Sequence, residues 1–200
     1  MNRIITIGRE FGSGGRELGR RLAEELGIAY YDQEILEEIA KRTDLSEKYI
    51  HGMVEKRPSF SFPIHVGRSF HYMQNSPWEL NLAVFREQSA IITDMANASD
   101  CVIVGRCADY ILAQMHPMRI FVYADMDSRL RRCRRKAAGD ENLSDKELTA
   151  NIRRIDKNRS KYYEFYTGKT WGDKSLYDLC INTTRIEIKD AAASVAKMLR

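Results

Sequence analysis

Short runs of apolar residues recur along the chain, and polar or glycine-rich segments separate them. Many residues in these runs are β-branched or aromatic, as expected of strands that are buried on both faces of a sheet. The runs are Ile4 to Ile7, Ile28 to Tyr31, Cys101 to Val104, Arg119 to Tyr123 and Leu179 to Ile181. Because segments with helical periodicity lie between them, the pattern predicts an α/β fold with a five-stranded parallel sheet flanked by helices.

Helical periodicity is clearest after the first run, where Leu18, Leu22 and Leu26 repeat on one face and Gly27 is suited to end the helix. The segment Ser76 to Glu79 combines a capping box with proline at the first helical position, and it predicts a long helix to about Ala98. A second capping box starts another helix, and two shorter amphipathic helices are also predicted. They begin at Ser144 with Glu147, at Ile35 and at Ile188.

The chain has 200 residues, a hydrophobic fraction of 44% and a formal net charge of +4. This size suits one domain with at most one inserted subdomain. The charge fits a soluble protein that binds a phosphorylated small molecule, and it makes nucleic acid an unlikely partner. No run approaches the ~20 apolar residues of a membrane span, and no signal peptide is predicted, so we expect a cytoplasmic protein.

The cysteines and histidines carry no signature of a zinc site or a disulfide framework. The cysteines lack C-x-x-C spacing, and the histidines offer no pair four residues apart. Scattered thiols of this kind are typical of a reducing cytoplasm. The residues concerned are Cys101, Cys107, Cys133, Cys180, His51, His65, His71 and His116.

A glycine-rich segment from Gly8 to Gly15 follows the first predicted strand and opens the first helix. Backbone N–H groups converge in such a turn, and the helix dipole adds roughly half a positive charge. Glycine is needed because a Cβ would block positive φ values and the close approach of an anion. Phosphate binding is therefore predicted for Gly8, Gly12, Ser13, Gly14 and Gly15, and the alternative is a tight turn without a ligand.

The spacing departs from the standard phosphate-loop pattern G-x-x-x-x-G-K-[ST]. When Gly12 to Gly14 are aligned with it, Gly15 stands where lysine belongs and Arg16 where the magnesium-binding hydroxyl belongs. The dinucleotide fingerprint G-x-G-x-x-G is absent, and Asp32 is the acidic residue nearest to the expected ribose-binding position.

Several segments together resemble the cytidylate kinase-like proteins, a branch of the P-loop nucleoside monophosphate kinases. They are ITIGREFGSGGRELGRRLAEELG, YYDQEIL, VIVGRCADYIL, IDKNRSKYYEFYTGKTWGD and YDLCINTTRI. The resemblance implies a P-loop nucleotide kinase fold, ATP and Mg²⁺ as cofactors, and a small nucleotide as the acceptor. It also implies that the lysine-less loop is a family trait.

The resemblance implies one domain over residues 1–200, with three parts. The core comprises about 1–32, 98–125 and 176–200, a helical acceptor-binding insertion covers about 33–97, and a helical lid covers about 126–166. Within the insertion, the aromatic stretch at 57–75 is expected to select a base by stacking or to pack in a homo-oligomer contact.

Without a loop lysine, another cation must neutralise the phosphates. Arg9 and Arg16 flank the glycines, and Arg16 on the first helical turn can present a bidentate fork. The alternative for both is a solvated surface side chain. We expect Arg16 to neutralise the transferring charge together with Arg153 and Arg159.

Gly105 and Arg106 end the third predicted strand, on the same sheet edge as the glycines. By resemblance to the GRD signature of cytidylate kinases, Arg106 binds the acceptor nucleotide. Val104 and Cys107 stand where that signature has aspartates, so Asp109 is the nearest carboxylate.

Two further acceptor-binding candidates are Asp32 and Arg86. Asp32 follows the second strand and is suited to hold acceptor hydroxyls or magnesium, with capping of the next helix as the alternative. Arg86 lies on the long helix, where a solvent-facing arginine is equally expected.

The basic run Arg129 to Lys136 and the helix after it resemble the lid of nucleotide kinases, which closes over ATP and excludes water. Asp156 and Arg159 match the family's D-x-x-R pattern, and Arg153 lies one turn earlier. A solvated helix face is the alternative for Arg129, Arg131 and Arg135.

The sequence thus predicts ATP-dependent phosphoryl transfer to a small acceptor, with Arg16, Asp32, Arg106, Arg153 and Arg159 as catalytic residues. The alternative is a non-catalytic nucleotide-binding or regulatory protein on the same fold. Nucleic-acid binding through the basic run is a third hypothesis.

Overall fold

A computed structural model describes residues 2–43, 45–46, 50, 77–136 and 143–200. Its centre is a parallel sheet of five strands in the order β2-β3-β1-β4-β5. The strands are β1 (Ile4–Arg9), β2 (Ala29–Tyr31), β3 (Cys101–Val104), β4 (Met118–Tyr123) and β5 (Leu179–Asn182). All five predicted strands are therefore present, with ends shifted by up to two residues.

Helices cover both faces of this sheet. They are α1 (Gly15–Leu26), α2 (Glu34–Thr43), α3 (Pro77–Ala98), α4 (Ala108–Ile111), α5 (Met126–Lys136), α6 (Asp145–Thr167) and α7 (Ile188–Leu199). Two short 3₁₀ turns lie at Ala113–Met115 and Lys174–Leu176. Within the described residues, none of the helices is long and apolar enough to span a membrane.

The central strand β1 supplies side chains to both layers of the core. Ile5 and Ile7 pack with α1 and α7 on one face. Ile4 packs with α2, α3 and α6 on the other face. This alternation follows from the period of two residues along a strand, and burial on both faces explains why the strands read as continuous apolar runs.

Local signals at the helix ends agree with the sequence in most places. The capping box of Ser144 and Glu147 is formed, and Gly27 ends α1 in the left-handed conformation with φ 67°. Helix α3 begins at Pro77, as predicted, whereas Ser76 lies outside the described residues.

The register of the sheet determines where a ligand can bind. Ile7 of β1 pairs with Val104 of β3, and Gly8 pairs with Phe121 of β4. The carboxyl ends of these strands therefore lie side by side, together with the loops that follow β1 and β3. In open parallel sheets this edge is where ligands bind.

Candidate functional site

The segment between β1 and α1, residues 10–14, is here called the glycine loop. Gly12 and Gly14 adopt positive φ values of 78° and 88°, and Gly14 is the N-cap of α1. A Cβ on Gly14 would lie 2.5 Å from Ile188 Cδ1, and one on Gly12 would lie 3.1 Å from Arg129 Cβ. Both positions need glycine for backbone conformation and for space.

Ser13 braces the glycine loop from inside. Its hydroxyl donates to the Glu10 carbonyl at 2.9 Å, and its backbone N–H donates to the same carbonyl at 3.3 Å. Thr183, directly after β5, donates to the Ser13 carbonyl at 2.7 Å. Since Ser13 and Thr183 are fully buried, this part of the loop is rigid, and Ser13 acts here through the loop's own hydrogen bonds.

Helices α5 and α6 hold the glycine loop from outside. Arg129 Nε donates to the Phe11 carbonyl at 2.6 Å, and Asp156 accepts from the Phe11 N–H at 2.8 Å. Arg129 also forms ion pairs with Asp156 and, at 3.2 Å, with Glu10. With 5% of its surface exposed, Arg129 is no solvated surface residue, so that alternative is wrong for it. Arg131 and Arg135 are exposed.

Arg9, the last residue of β1, lies beneath the glycine loop. Its side chain is 11% exposed, and its guanidinium lies 3.8 Å from Asp32. The pKa of Arg9 is lowered to about 9, chiefly by burial, then by the positive charge of Arg159 and, less strongly, of Arg106 and Arg16. Asp32 opposes this shift. The solvated-surface alternative is therefore wrong for Arg9.

Asp32, directly after β2, is the carboxylate of this arginine cluster and is 3% exposed. Arg16 forms its closest ion pair, although the Arg16 side chain is itself 55% exposed. The backbone N–H of Asp32 donates to Glu34 at 2.9 Å. The Asp32 carboxylate contacts Arg9 and Arg16, so the geometry favours a role in the arginine cluster over capping of α2, the alternative for this residue.

The loop after β3 presents Arg106 in an unusual backbone conformation. Gly105, Arg106 and Cys107 have consecutive φ values of 76°, 59° and 55°. Left-handed conformations are costly for residues with a Cβ, so surrounding contacts must hold this turn. The fully buried Gln88 of α3 donates to the Arg106 carbonyl at 3.0 Å, and Tyr162 of α6 donates to Gln88 at 3.3 Å.

Arg159 on α6 completes the cluster at the end of β1. It donates to the Arg9 carbonyl at 3.5 Å, lies 3.8 Å from Asp156, and stacks over the Phe11 ring with 5.5 Å to its centroid. Arg9, Arg106 and Arg159 therefore line one cavity at this edge of the sheet, and Arg16 lies close by, because Arg9 and Arg16 both contact Asp32. Such a concentration of positive charge suits an anionic ligand.

A cavity of about 50 Å³ opens between the ends of β1 and β3 and helix α6. Its polar wall includes Asp109, which accepts a hydrogen bond from Tyr163 at 2.7 Å. Burial raises the pKa of Asp109, and it also raises the pKa of Tyr163 and Tyr177. The full lining is Gly8, Arg9, Gly105, Arg106, Cys107, Asp109, Arg159, Tyr162, Tyr163, Trp171 and Tyr177.

A larger groove of about 770 Å³ lies on the other side of the glycine loop, between α5 and the residues after β5. Arg132 of α5 lines this groove and also lies next to the glycine loop, because it is beside Gly14 and donates to the Thr183 carbonyl. Its Nη1 atom is buried and has no hydrogen-bond partner among the described residues. Through Arg132, the wide basic groove lies next to Gly14 of the glycine loop.

Two predicted site residues are not among those that line the small cavity. Arg86 on α3 and Arg153 on α6 are both exposed to solvent. The aromatic stretch at 57–75 falls outside the described residues, so the expectations for it stay predictions.

Sequence reasoning missed several residues that support the site: Glu10, Gln88, Arg132 and Thr183. Thr183 carried a usable signal, since it directly follows a strand on the ligand-binding edge. Gln88 had a weaker one, as a polar residue in an otherwise apolar helical stripe. Glu10 and Arg132 resembled ordinary charged surface positions.

Magnesium ligands are not preassembled in the described part of the chain. No group of three or more His, Cys, Asp or Glu side chains comes together there. Residue 16 is an arginine where the standard pattern has a hydroxyl, the Ser13 hydroxyl bonds within its loop, and Asp32 is ion-paired. These residues do not fit a protein-held magnesium ion.

A sequence model of the cytidylate kinase-like family matches residues 4–185. The cytidylate kinase of Methanopyrus kandleri is 24% identical over 192 residues, which are 91% of this chain and 85% of that protein. The cytidylate kinase of Desulfurococcus amylolyticus is 25% identical over 181 residues, with 90% and 83% covered.

Solved structures share the fold. An uncharacterized protein from Eubacterium ventriosum superposes with a TM-score of 0.71 at 28% identity, covering 99% of this chain and 98% of that one. The shikimate kinase of Bacteroides thetaiotaomicron gives a TM-score of 0.58 at 15% identity, with 98% of both chains covered. The chain therefore has the fold of the P-loop kinases, as its sequence predicts.

Proposed function

The chain belongs to the cytidylate kinase-like family, and we propose that it transfers the terminal phosphoryl group of ATP to a nucleoside monophosphate, with cytidylate as the first candidate. The observation that carries this proposal is that Arg9, Arg106 and Arg159 line one small cavity beside the glycine loop, with Arg16 close by on Asp32. Phosphoryl transfer is mostly positioning and neutralisation of charge on oxygen, and guanidinium groups supply both.

The two cavities fit the two substrates of such a reaction. The wide groove beside Arg132 has room for the nucleoside of ATP, and its phosphates would extend to the N-terminus of α1. The small cavity has the volume of about one or two water molecules. It suits one anionic group of the acceptor, held by Arg106 and Arg159.

The N–H groups of Gly12 and Gly14 make no hydrogen bond within the described part of the chain, whereas those of Phe11 and Ser13 do. We assign phosphate binding to Gly12, Gly14 and the first turn of α1. Ser13 supports the loop in this assignment.

In the proposed reaction, an oxygen of the acceptor phosphate attacks the terminal phosphorus of ATP. The bond from that phosphorus to its bridging oxygen breaks, and the electron pair stays on the ADP that leaves. No proton has to leave a phosphate dianion, so arginines suffice as charge-stabilising groups. Magnesium carried by the nucleotide would contribute charge neutralisation, held by phosphates and water.

The α5–α6 hairpin is proposed as the lid and the segment 33–97 as the acceptor-binding part. The hairpin is suited to a lid because Arg129 and Asp156 connect it directly to the glycine loop. Arg86 and Arg153 would reach a substrate only after movement, since both are exposed here.

A coupled assay of ADP release, with a panel of nucleoside monophosphates and a hydroxyl acceptor, tests this function. We expect one pyrimidine monophosphate to stimulate ADP release, and Arg106→Ala to raise its KM. Arg20→Ala serves as a control, because Arg20 pairs with Glu24 on the exposed face of α1. ADP release that no monophosphate stimulates would contradict the proposal.

The missing lysine favours one alternative, a nucleotide-binding regulatory protein without turnover. Calorimetry separates the two functions. ATP binding without acceptor-stimulated ADP release would support the alternative.

A further inference from the structure

Arg9 occupies the space in which a side chain at position 15 would lie. A Cβ on Gly15 would be 2.5 Å from Arg9 Cβ and 3.1 Å from Arg9 Cγ. Real Cβ atoms do not approach other carbon atoms so closely, so residue 15 must be glycine as long as residue 9 carries a side chain in this position. Position 15 is where the standard phosphate loop has its lysine.

The guanidinium end of Arg9 is packed tightly against Gly105. A Cβ on Gly105 would overlap the Arg9 guanidinium, and Gly105 has a φ of 76°. Arg9 therefore runs between two glycines, from the end of β1 towards the loop after β3. Its guanidinium ends in the small cavity, among Arg106 and Arg159.

The charges around Arg9 favour an anionic ligand. Its neighbours include three further guanidinium groups, and Asp32 is the carboxylate that opposes them. Asp32 is itself engaged more closely by Arg16 than by Arg9, which lies 3.8 Å away. A buried cation held among like charges is costly, and a polyphosphate would offset this cost.

Arg16 is placed less favourably for the same task. More than half of its side chain is exposed, and it already forms the close ion pair with Asp32. Its sequence position beside the glycines suggested the lysine's role, but its guanidinium is directed to Asp32 and solvent.

We propose that Arg9 replaces the missing lysine in space, and that its guanidinium binds the transferring phosphate from beneath the glycine loop. The inference rests on the proposed function, and it identifies Arg9 as the cation that binds the transferring phosphate in it. Arg9 and Gly15 form a reciprocal pair in this view: the arginine fills the space that the glycine leaves. Arg16 keeps Asp32 in place.

Calorimetric titration with ATP and with adenosine tests this proposal on the full chain. Arg9→Met should weaken ATP binding by roughly 10- to 100-fold, as expected for loss of charged hydrogen bonds to phosphate. Adenosine binding should not change, because adenosine has no phosphate. Arg16→Met should cost less ATP affinity, and Arg20→Met should leave both ligands unaffected.

Exchanging the residues at positions 9 and 15 distinguishes a loss of phosphate binding from a loss of packing. Gly15→Lys alone should unfold or weaken the protein, because the lysine collides with Arg9. The double variant Arg9→Gly with Gly15→Lys should bind ATP roughly 10-fold more tightly than Arg9→Gly alone. Arg9→Met should melt at or above the wild-type temperature, since it removes a charge that its neighbours repel.

Several results would overturn the inference. They are wild-type ATP affinity in Arg9→Met, an equal loss of ATP and adenosine binding, or a double variant no better than Arg9→Gly. Wild-type protein that binds no ATP would reject both the proposed function and the role of Arg9. ATP binding without phosphoryl transfer would reject the kinase function only, and the titrations would still decide on Arg9.

Discussion

The carboxylate of Asp156 accepts a hydrogen bond from the backbone N–H of Phe11 at 2.8 Å, joining residues 145 positions apart in the chain. Arg129 binds the Phe11 carbonyl and also pairs with Asp156. The glycine loop, to which we assign phosphate binding, is thus held on both sides of Phe11 by the α5–α6 hairpin. A change in the hairpin is therefore expected to reach the glycine loop directly.

Removing Asp156 should destabilise the protein as well as the loop. Asp156→Ala leaves the buried Arg129 with Glu10 as its remaining carboxylate, and we expect a loss of about 3 kcal/mol in the free energy of unfolding. Urea denaturation followed by tryptophan fluorescence measures it. Asp145→Ala is the control, because Asp145 forms an exposed ion pair with Arg134. Similar losses in both variants would argue against the buried network.

Gly14 should tolerate alanine far less well than Gly27, although both have positive φ. A Cβ on Gly27 meets nothing within 4 Å, so Gly27→Ala should cost only the conformational strain, about 1 kcal/mol. Gly14→Ala adds the collision with Ile188, and we expect a total near ~3 kcal/mol together with loss of ATP binding. Thermal melts and ATP titration compare them, and equal costs would contradict this description of the loop.

Substitution of Gln88 should raise the KM of the acceptor more than the KM of ATP. Gln88→Leu removes the hydrogen bond that holds the Arg106 carbonyl, so the strained turn can relax and Arg106 can shift. We expect the KM of the acceptor to rise roughly 10-fold and that of ATP to stay nearly constant. Tyr162→Phe is a matched variant, since it loses only the bond to Gln88 and should have a smaller effect. A parallel rise in both KM values would indicate general damage instead.

Asp109→Asn should stabilise the protein at neutral pH. Burial raises the pKa of Asp109, so between its ordinary pKa and the raised one the folded state binds more protons than the unfolded state. The free energy of unfolding consequently falls as pH rises through that window, and the full penalty is present above the raised pKa. Asparagine can still accept from Tyr163 but carries no charge. The stability gain should therefore shrink as pH falls towards about 4.

Asp178→Asn is the control of opposite sign. The hydrogen bond from Arg119 lowers the pKa of Asp178, so its carboxylate contributes stability above its ordinary pKa. This variant should be less stable than wild type at pH 7, and the difference should vanish in acid. Melting temperatures at several pH values provide the measurement. The same sign in both variants would be inconsistent with the environments described.

Much of the fold could be read from the order of apolar and polar residues. The runs around Ile5, Val102 and Ile120 predicted central strands, because strands buried on both faces cannot carry regular polar positions. The capping box at Ser144 and the glycine at position 27 predicted helix ends, because both act through hydrogen bonds within a few residues. Such local interactions depend on residues that are neighbours in the sequence, so the sequence alone predicts them.

Tertiary structure decided which of the arginines are buried, which are ion-paired and which are exposed. In the sequence, a solvated surface position is an open alternative for Arg9, Arg16 and Arg129 alike. In the fold, Arg129 is buried against Phe11, and Arg9 fills the space above Gly15, whereas Arg16 stays largely exposed. Whether a charged side chain is solvated, paired or held for a ligand depends on which distant segments pack around it.

The sequence by itself thus determined the sheet, the glycine loop and the absence of its lysine. Only the tertiary structure decided which arginines are buried beside the loop and which polar residues hold Arg106 in its strained turn. The physical reason is the distance along the sequence over which each interaction acts. Periodicity and capping depend on residues a few positions apart. The burial of Arg9 and Gln88 results from contacts between helices and strands far apart in the chain.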